Sequence, residues 1–298
     1  MPFALIFVNV TLHHAVSKAD YLTPSNHTLL SKRGIDRTLV RFSVCIEMLL
    51  TEYPFAERAR KAARLGFGAI EFWLPDEKGK DMKALRQVTR DCGIAVSSIV
   101  VNSNAGDIGG SLVKASDKSA YLKRLKKTIE IAHMLDCEKM ITCSGNTLKG
   151  LSRQQQTRNM IHTLKEGCRM AEREGITLLL EPLNTIVDHP GYFVDSATLG
   201  FEIVHDVRSE KLKLVYDIYH MQMMEGNILQ TIERNLNSIA HIHCAGAPGR
   251  HELDSGELDY RNILKKIDEL GYDGLVGLEY NPTISSEESL KRTMQVAN

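Results

Sequence analysis

The chain lacks an excess of either charge: its 37 basic and 37 acidic side chains cancel, and they are interspersed instead of gathered into blocks. A phosphate-backbone partner requires a basic face or stripe, so no nucleic-acid partner is expected. The densest basic stretch, Lys123 to Lys127, falls in a helical pattern with acidic residues nearby and reads as a solvated helix face. Also lacking is any C-x-x-C pair. The six cysteines, Cys45, Cys92, Cys137, Cys143, Cys168 and Cys244, are scattered, which argues against a thiolate zinc cluster and a small disulfide framework. Buried free thiols in a reducing compartment remain, and the cytoplasm is the expected location. No apolar run approaches the roughly 20 residues of a membrane span, so no membrane partner is expected. Near the start, Phe3 to Val10 is apolar but lacks the basic flank and longer core of a secretory signal. Residues 1–39 therefore read as a loosely attached N-terminal extension.

What is present is a globular composition, 43% hydrophobic and 25% charged, and a repeating pattern over residues 40–298. Short β-branched apolar runs alternate with longer amphipathic segments, the signature of βαβ units around a parallel sheet. Eight strands are predicted: Phe42 to Met48, Ala69 to Trp73, Ala95 to Asn102, Lys139 to Cys143, Thr177 to Glu181, Leu212 to Asp217, His241 to Cys244 and Gly274 to Tyr280. Helices such as Phe55 to Leu65, Lys118 to Met134, Gln154 to Glu174 and Arg261 to Leu270 lie between them. Ser152 with Gln155 and Ser285 with Glu288 have capping-box spacing, and Gly66, Gly175 and Gly271 follow helices where a left-handed residue is wanted. An open doubly wound sheet would announce itself by a glycine-rich phosphate loop after the first strand, and Met48 to Tyr53 has none. The predicted fold is α/β, a single-domain (β/α)8 TIM barrel behind the N-terminal extension.

In such a barrel the chemistry sits at the carboxyl ends of the strands. The fifth strand stops at Glu181, the sixth at Asp217, the seventh supplies His241 and His243, and the eighth supplies Glu279. Side chains alternate across a strand, so all these groups converge if their shared face is the interior. Three carboxylates packed together would repel and raise one another's pKa unless a cation sits among them. Three carboxylates with one imidazole suit Mg2+, Mn2+ or Co2+ better than a structural zinc. Trp73 and Asn102 end earlier strands; Trp73 reads as rim packing, and Glu47 and Glu71 receive no role.

Certain segments carry a more specific likeness: Leu180-Glu181-Pro182-Leu183-Asn184, Tyr216 to Gln222, His241-Ile242-His243 leading to Pro248 to Glu252, and Gly277 to Tyr280. Together with Arg41-Phe42, Thr51 to Phe55 and Phe67 to Phe72, they resemble the hydroxypyruvate isomerase branch of the xylose isomerase-like TIM-barrel superfamily. The resemblance implies one divalent metal ion, Mn2+ or Mg2+ with Co2+ or Zn2+ as alternatives, held by Glu181, Asp217, His243 and Glu279. It implies that Glu181 and Glu279 also move the proton, and that His220 and Arg250 contact a small hydroxy-carbonyl substrate. On spacing alone, Arg250 could instead be a surface partner of Glu252 or Glu257. Family members are often dimers or tetramers, so a homo-oligomer is among the expectations. In one respect the chain departs from the branch. Hydroxypyruvate isomerases often carry glutamine where His243 stands, whereas ketose 3-epimerases of the superfamily carry histidine.

The expected reaction is isomerisation of a small hydroxy-carbonyl acid, hydroxypyruvate to tartronate semialdehyde in type, through an enediolate. Ketose 3-epimerase and 2-oxo-tetronate isomerase are the alternatives within the class. A DNA-repair endonuclease on the same barrel would need additional histidines at early strand ends and a basic groove. A non-catalytic binding protein would have no chemical reason to keep mutually repelling carboxylates.

Overall fold

Strands that are apolar on both faces must be covered on one side and filled on the other. A computed structural model describes residues 40–297; the extension expected at residues 1–39 lies outside the described residues. Eight strands, β1 (Arg41–Cys45), β2 (Ala69–Phe72), β3 (Ala95–Val100), β4 (Lys139–Thr142), β5 (Thr177–Leu180), β6 (Leu212–Asp217), β7 (Ile239–Cys244) and β8 (Leu275–Leu278), pair in chain order. β8 returns in parallel to β1 and closes the barrel.

The outer layer is made by α1 (Phe55–Arg64), α2 (Met82–Cys92), α3 (Lys118–Met134), α4 (Arg153–Arg173), α5 (Ala197–Val207), α6 (Ile218–Met224), α7 (Ile228–Asn235), α8 (Tyr260–Glu269) and α9 (Ser286–Val296). α4 begins where expected, because Ser152 accepts from the Gln155 N–H while the Gln155 side chain reaches back to the Ser152 N–H. At the start of α9 the Ser285 hydroxyl accepts from the Glu288 N–H at 3.4 Å. Gly175 and Gly271, with φ of 73° and 74°, follow α4 and α8 in the left-handed conformation that releases the chain from a helix. The Lys123 to Lys127 cluster is tied into this layer. Arg124 donates through Nε to the Val101 carbonyl at 2.8 Å, and Arg124 and Lys127 both pair with Asp76.

Several strands stop before the polar residue that the sequence assigned to them. β1 ends at Cys45 and not Met48, because the Met48 and Leu49 N–H groups turn back onto the Cys45 carbonyl at 3.2 and 3.0 Å. β5 ends at Leu180 and β8 at Leu278, so Glu181 and Glu279 stand one residue beyond the ladder. β7 starts earlier than expected, at Ile239.

The barrel interior is divided. On one side Val100, Ile141, Leu179 and Val215, from β3 to β6, pack together with Leu74. On the other side the inward positions are Ser43, Glu71, His241 and Gly277, from β1, β2, β7 and β8. The apolar half is a packed floor beneath the mouth, in keeping with barrels filled by side chains. Leu179 is fully buried there. Leu179→Ala is expected to cost about 3 kcal/mol, since it opens a void that rigid strands cannot close; urea unfolding followed by circular dichroism measures it.

Candidate active site

Four side chains meet at the carboxyl end of the barrel. Leu179 faces the interior, so Glu181, two residues on, does too. Asp217 closes β6 and caps α6, its Oδ1 accepting from the His220 N–H at 2.9 Å, which leaves Oδ2 free for the mouth. The ladder sets His243 opposite Asp217 on one side and Gly277 on the other. His243 Nδ1 is the point of convergence: Glu181 Oε1 lies at 2.9 Å, Glu279 Oε2 at 3.4 Å and Asp217 Oδ2 at 3.9 Å. All four residues are at most 7% exposed.

Such crowding has electrostatic consequences. Burial, reinforced by the Glu279 and Glu181 charges, pushes the Asp217 carboxyl up to about 7. Burial also raises Glu181, with the Glu279 charge adding to it. Glu279 moves the other way, the outcome expected where cationic groups sit among the carboxylates. Burial opposes its charge, but His243 and Arg250 outweigh it and hold Glu279 well below the usual range. Arg250 Nη2 donates to Glu279 Oε2 at 2.6 Å, and Trp73 Nε1 donates to Oε1 at 2.8 Å. His243 is raised well above an ordinary histidine, because Glu71, Glu279 and Glu181 overcome the effect of burial.

The quartet has the donor set of a divalent-cation site. One ligand atom from each of Glu181, Asp217, His243 and Glu279 lies within 4.8 Å of all the others. Bonds of about 2.1 Å to one ion place neighbouring ligand atoms roughly 3 to 3.5 Å apart, and two of the three spacings to His243 Nδ1 are near that range. Three oxygens and one nitrogen suit a hard or borderline ion.

His220 and Arg250 border the same space. The Asn184 amide donates to Asp188 Oδ2 at 2.6 Å, and its other proton meets His220 Nδ1 at 2.7 Å. The Asn184 backbone N–H also donates to that nitrogen, at 3.3 Å. Nδ1 is thus an acceptor, and the imidazole proton belongs on Nε2. That Nε2 is buried with no hydrogen-bond partner among the described residues, 3.8 Å from Asp217 Oδ2. Burial, then the neighbouring Arg250 charge, keeps His220 neutral by pulling its pKa well down. Arg250 does not pair with Glu252 or Glu257. Glu252 accepts from Thr283 N–H and Oγ1 at 2.8 and 3.0 Å, and Glu257 accepts from Gln222 at 3.2 Å. Arg250 instead turns inward to Glu279.

These residues line a cleft of about 400 Å3 with Trp73, Asn104, His189, Glu181 and Glu279. Trp73 lies 39% exposed at its rim yet bonds Glu279, so it does more than pack. His189, which meets the Asn104 amide at 2.6 Å, received no attention in the sequence. It lies on an irregular loop after β5, where periodicity carries no signal. Asn102 lines the cleft too, but its amide is spent on the Cys143 and Gly110 carbonyls.

A closed parallel barrel with a buried acidic and imidazole quartet at the ends of four consecutive strands defines a TIM-barrel protein with a candidate metal centre. Residues 59–297 match the family described as xylose isomerase-like TIM barrel, and the chain belongs to that family. Within it, the chain is 33% identical over 259 residues to a putative hydroxypyruvate isomerase of Danio rerio, covering 85% of this chain and 94% of that one. It is 32% identical to the hydroxypyruvate isomerase of Escherichia coli (85% and 98% covered) and 30% identical to the 2-oxo-tetronate isomerase of Cupriavidus necator (84% and 96%). These relatives support an isomerase. Among solved structures, one described as an AP endonuclease of family 2 from Brucella melitensis superposes with a TM-score of 0.79 at 30% identity, covering 85% of this chain and 97% of that one. A D-psicose 3-epimerase of Clostridium cellulolyticum superposes at 0.69 with 20% identity, covering 87% and 96%, a likeness of fold.

Asp217 yields a test in the metal-free protein. Its folded pKa of about 7 lies above the ordinary 3.8, so the folded state holds the extra proton between these values. Its contribution therefore lowers stability as pH rises from about 4 through about 7. Asp217→Asn keeps an N-cap acceptor while removing the charge. At about pH 8 it is expected to raise the melting temperature of the metal-free protein by a few degrees and to weaken Mn2+ binding at least tenfold. Calorimetric scanning and titration read the two effects separately.

Proposed function

We propose that the chain is a metal-dependent isomerase that moves a proton on a small hydroxy-carbonyl acid, of the hydroxypyruvate to tartronate semialdehyde type, through an enediolate. The observation that carries this reading is the pairing of Arg250 with the quartet: a guanidinium at the rim of a small cleft that also holds two differently tuned glutamates. Glu181, Asp217, His243 and Glu279 would hold the ion, Mn2+ or Mg2+ by donor type, and when bound it supplies Lewis-acid polarisation of the substrate carbonyl.

The protein's own groups account for the rest. Arg250 Nε and Nη2 face Glu279, and the remaining Nη1 is available to a substrate carboxylate. A carboxylate is the natural partner of a guanidinium, which favours an acid over a neutral ketose. His220 offers its unpartnered Nε2–H to a substrate oxygen without bringing a charge. Glu279 stays ionised through Arg250 and Trp73. Glu181, whose charge is less well supported, accepts a proton more readily. Two carboxylates with pKa values pushed apart in one cleft suit removal of a proton at one carbon and its return at the neighbour.

A ketose 3-epimerase is the second reading, favoured by the imidazole at His243. The endonuclease reading lacks support in the local charge: early strand ends in this chain carry Phe72, Trp73 and Asn102, and the overall charge is balanced. No helix among the described residues is long and apolar enough to cross a membrane, and the six cysteines are free. A cytoplasmic setting fits those thiols.

The test is C–H exchange in heavy water, followed by NMR, with hydroxypyruvate, a 2-oxo-tetronate and neutral ketoses, with and without Mn2+. Metal-dependent exchange on an acid is expected, reduced about 10²- to 10⁴-fold in Glu181→Gln and in Glu279→Gln. Exchange confined to ketoses would establish the epimerase reading, and exchange on none of them would sink the isomerase.

A further inference from the structure

Beneath the quartet lies a second buried cluster that the proposed chemistry leaves unused. Glu71, His241 and His243 are each at most 3% exposed, and one nitrogen or oxygen atom from each lies within 4.8 Å of the others. His243 directs Nδ1 to the three carboxylates and Nε2 down into the barrel, 3.2 Å from Glu71 Oε1. Among the described residues neither of these two atoms makes a hydrogen bond. The other Glu71 oxygen is held: His241 Nε2 lies at 2.6 Å, and the Ser97 and Ser98 hydroxyls donate at 3.1 and 3.4 Å. Ser97 is itself 2.6 Å from the Ser43 hydroxyl.

Two features of the backbone converge on this cluster. Register shifts occur where Ser97 drops out of the β2–β3 pairing and where Ala240 drops out of the β6–β7 pairing. The first brings two successive serines to Glu71, and the second turns His241 inward opposite Val215. Bulges re-aim side chains in this way and collect beside active sites. Gly277 supplies the space, since a Cβ there would stand 2.1 Å from Glu71 Oε1 and 2.7 Å from His243 Cδ2. The opposite half of the interior is filled with aliphatic side chains, and buried ionic groups seldom add stability over such packing.

We propose that Glu71, braced by His241 and Ser97, is a positioning residue. It accepts a hydrogen bond from His243 Nε2, fixes the ring, and presents a proton-free Nδ1 to the ion. The inference rests on the metal reading above. It assigns Glu71 no contact with substrate.

Titration of Mn2+ into the metal-free full chain tests it. Glu71→Met removes the acceptor at similar volume and is expected to weaken Mn2+ binding about 10- to 100-fold. Glu71→Gln, whose amide oxygen still accepts from Nε2–H, should restore part of that loss; a role in packing alone would lower the melting temperature of both variants without separating their affinities. A folded Glu71→Met chain that binds Mn2+ within twofold of wild type overturns the proposal. Should that variant not fold, ring 15N NMR of the Zn2+-loaded wild type decides. A protonated Nε2 with metal on Nδ1 supports the arrangement, and the reverse refutes it. Failure of the wild-type chain to bind any divalent ion would remove the metal reading itself, and this inference with it.

Discussion

The convergence of three buried carboxylates on one imidazole nitrogen is the constraint around which the rest of the site is arranged. No packed core would gather such charges without compensation, because desolvation and mutual repulsion both oppose them. The compensation is visible on three sides. Arg250 and Trp73 bond the two oxygens of Glu279, the α6 N-terminus takes one oxygen of Asp217, and His243 stands among all three. What remains uncompensated is the raised Asp217 and Glu181 pair, and that residual demand is what a divalent ion would meet.

The same compensation breaks the symmetry between the two glutamates. They are equivalent in the chain, each following an apolar strand, yet their surroundings differ. Glu279 is clamped by a guanidinium and an indole, while among the described residues Glu181 has only His243 for its carboxylate. Environment, and not residue type, thereby separates a carboxylate whose pKa is held low from one whose pKa is raised. The split interior of the barrel serves this asymmetry. An aliphatic floor on β3 to β6 gives rigidity, and a polar half on β1, β2, β7 and β8 sets Glu71 3.2 Å from the lower nitrogen of His243.

The fold was legible in the sequence because each strand is a short apolar run bounded by turn residues, and several helices, α4 and α9 among them, carry their own caps. The four candidate ligands were legible for the same reason: each is a polar group at the carboxyl end of a strand whose alternation points it inward. Glu71 obeys that alternation as well, but a lone acid on an early strand has no partner in its own segment. Its partners, His241 and Ser97, lie on β7 and β3. Trp73 looked like rim packing because nothing in the local sequence shows an acceptor, and its acceptor is Glu279, at the far end of the chain.

By itself, then, the sequence determined the repeating strand and helix pattern, the parallel barrel, and which strand ends carry carboxylates and imidazole, since these depend on periodicity and short-range chemistry. Only the tertiary structure decided which nitrogen of His243 faces the carboxylates, which glutamate Arg250 clamps, and where the strands slip by one residue to aim His241 and Ser97 at Glu71. Those outcomes depend on the closure of β8 onto β1 and on distances between residues far apart in the chain. No local pattern contains them.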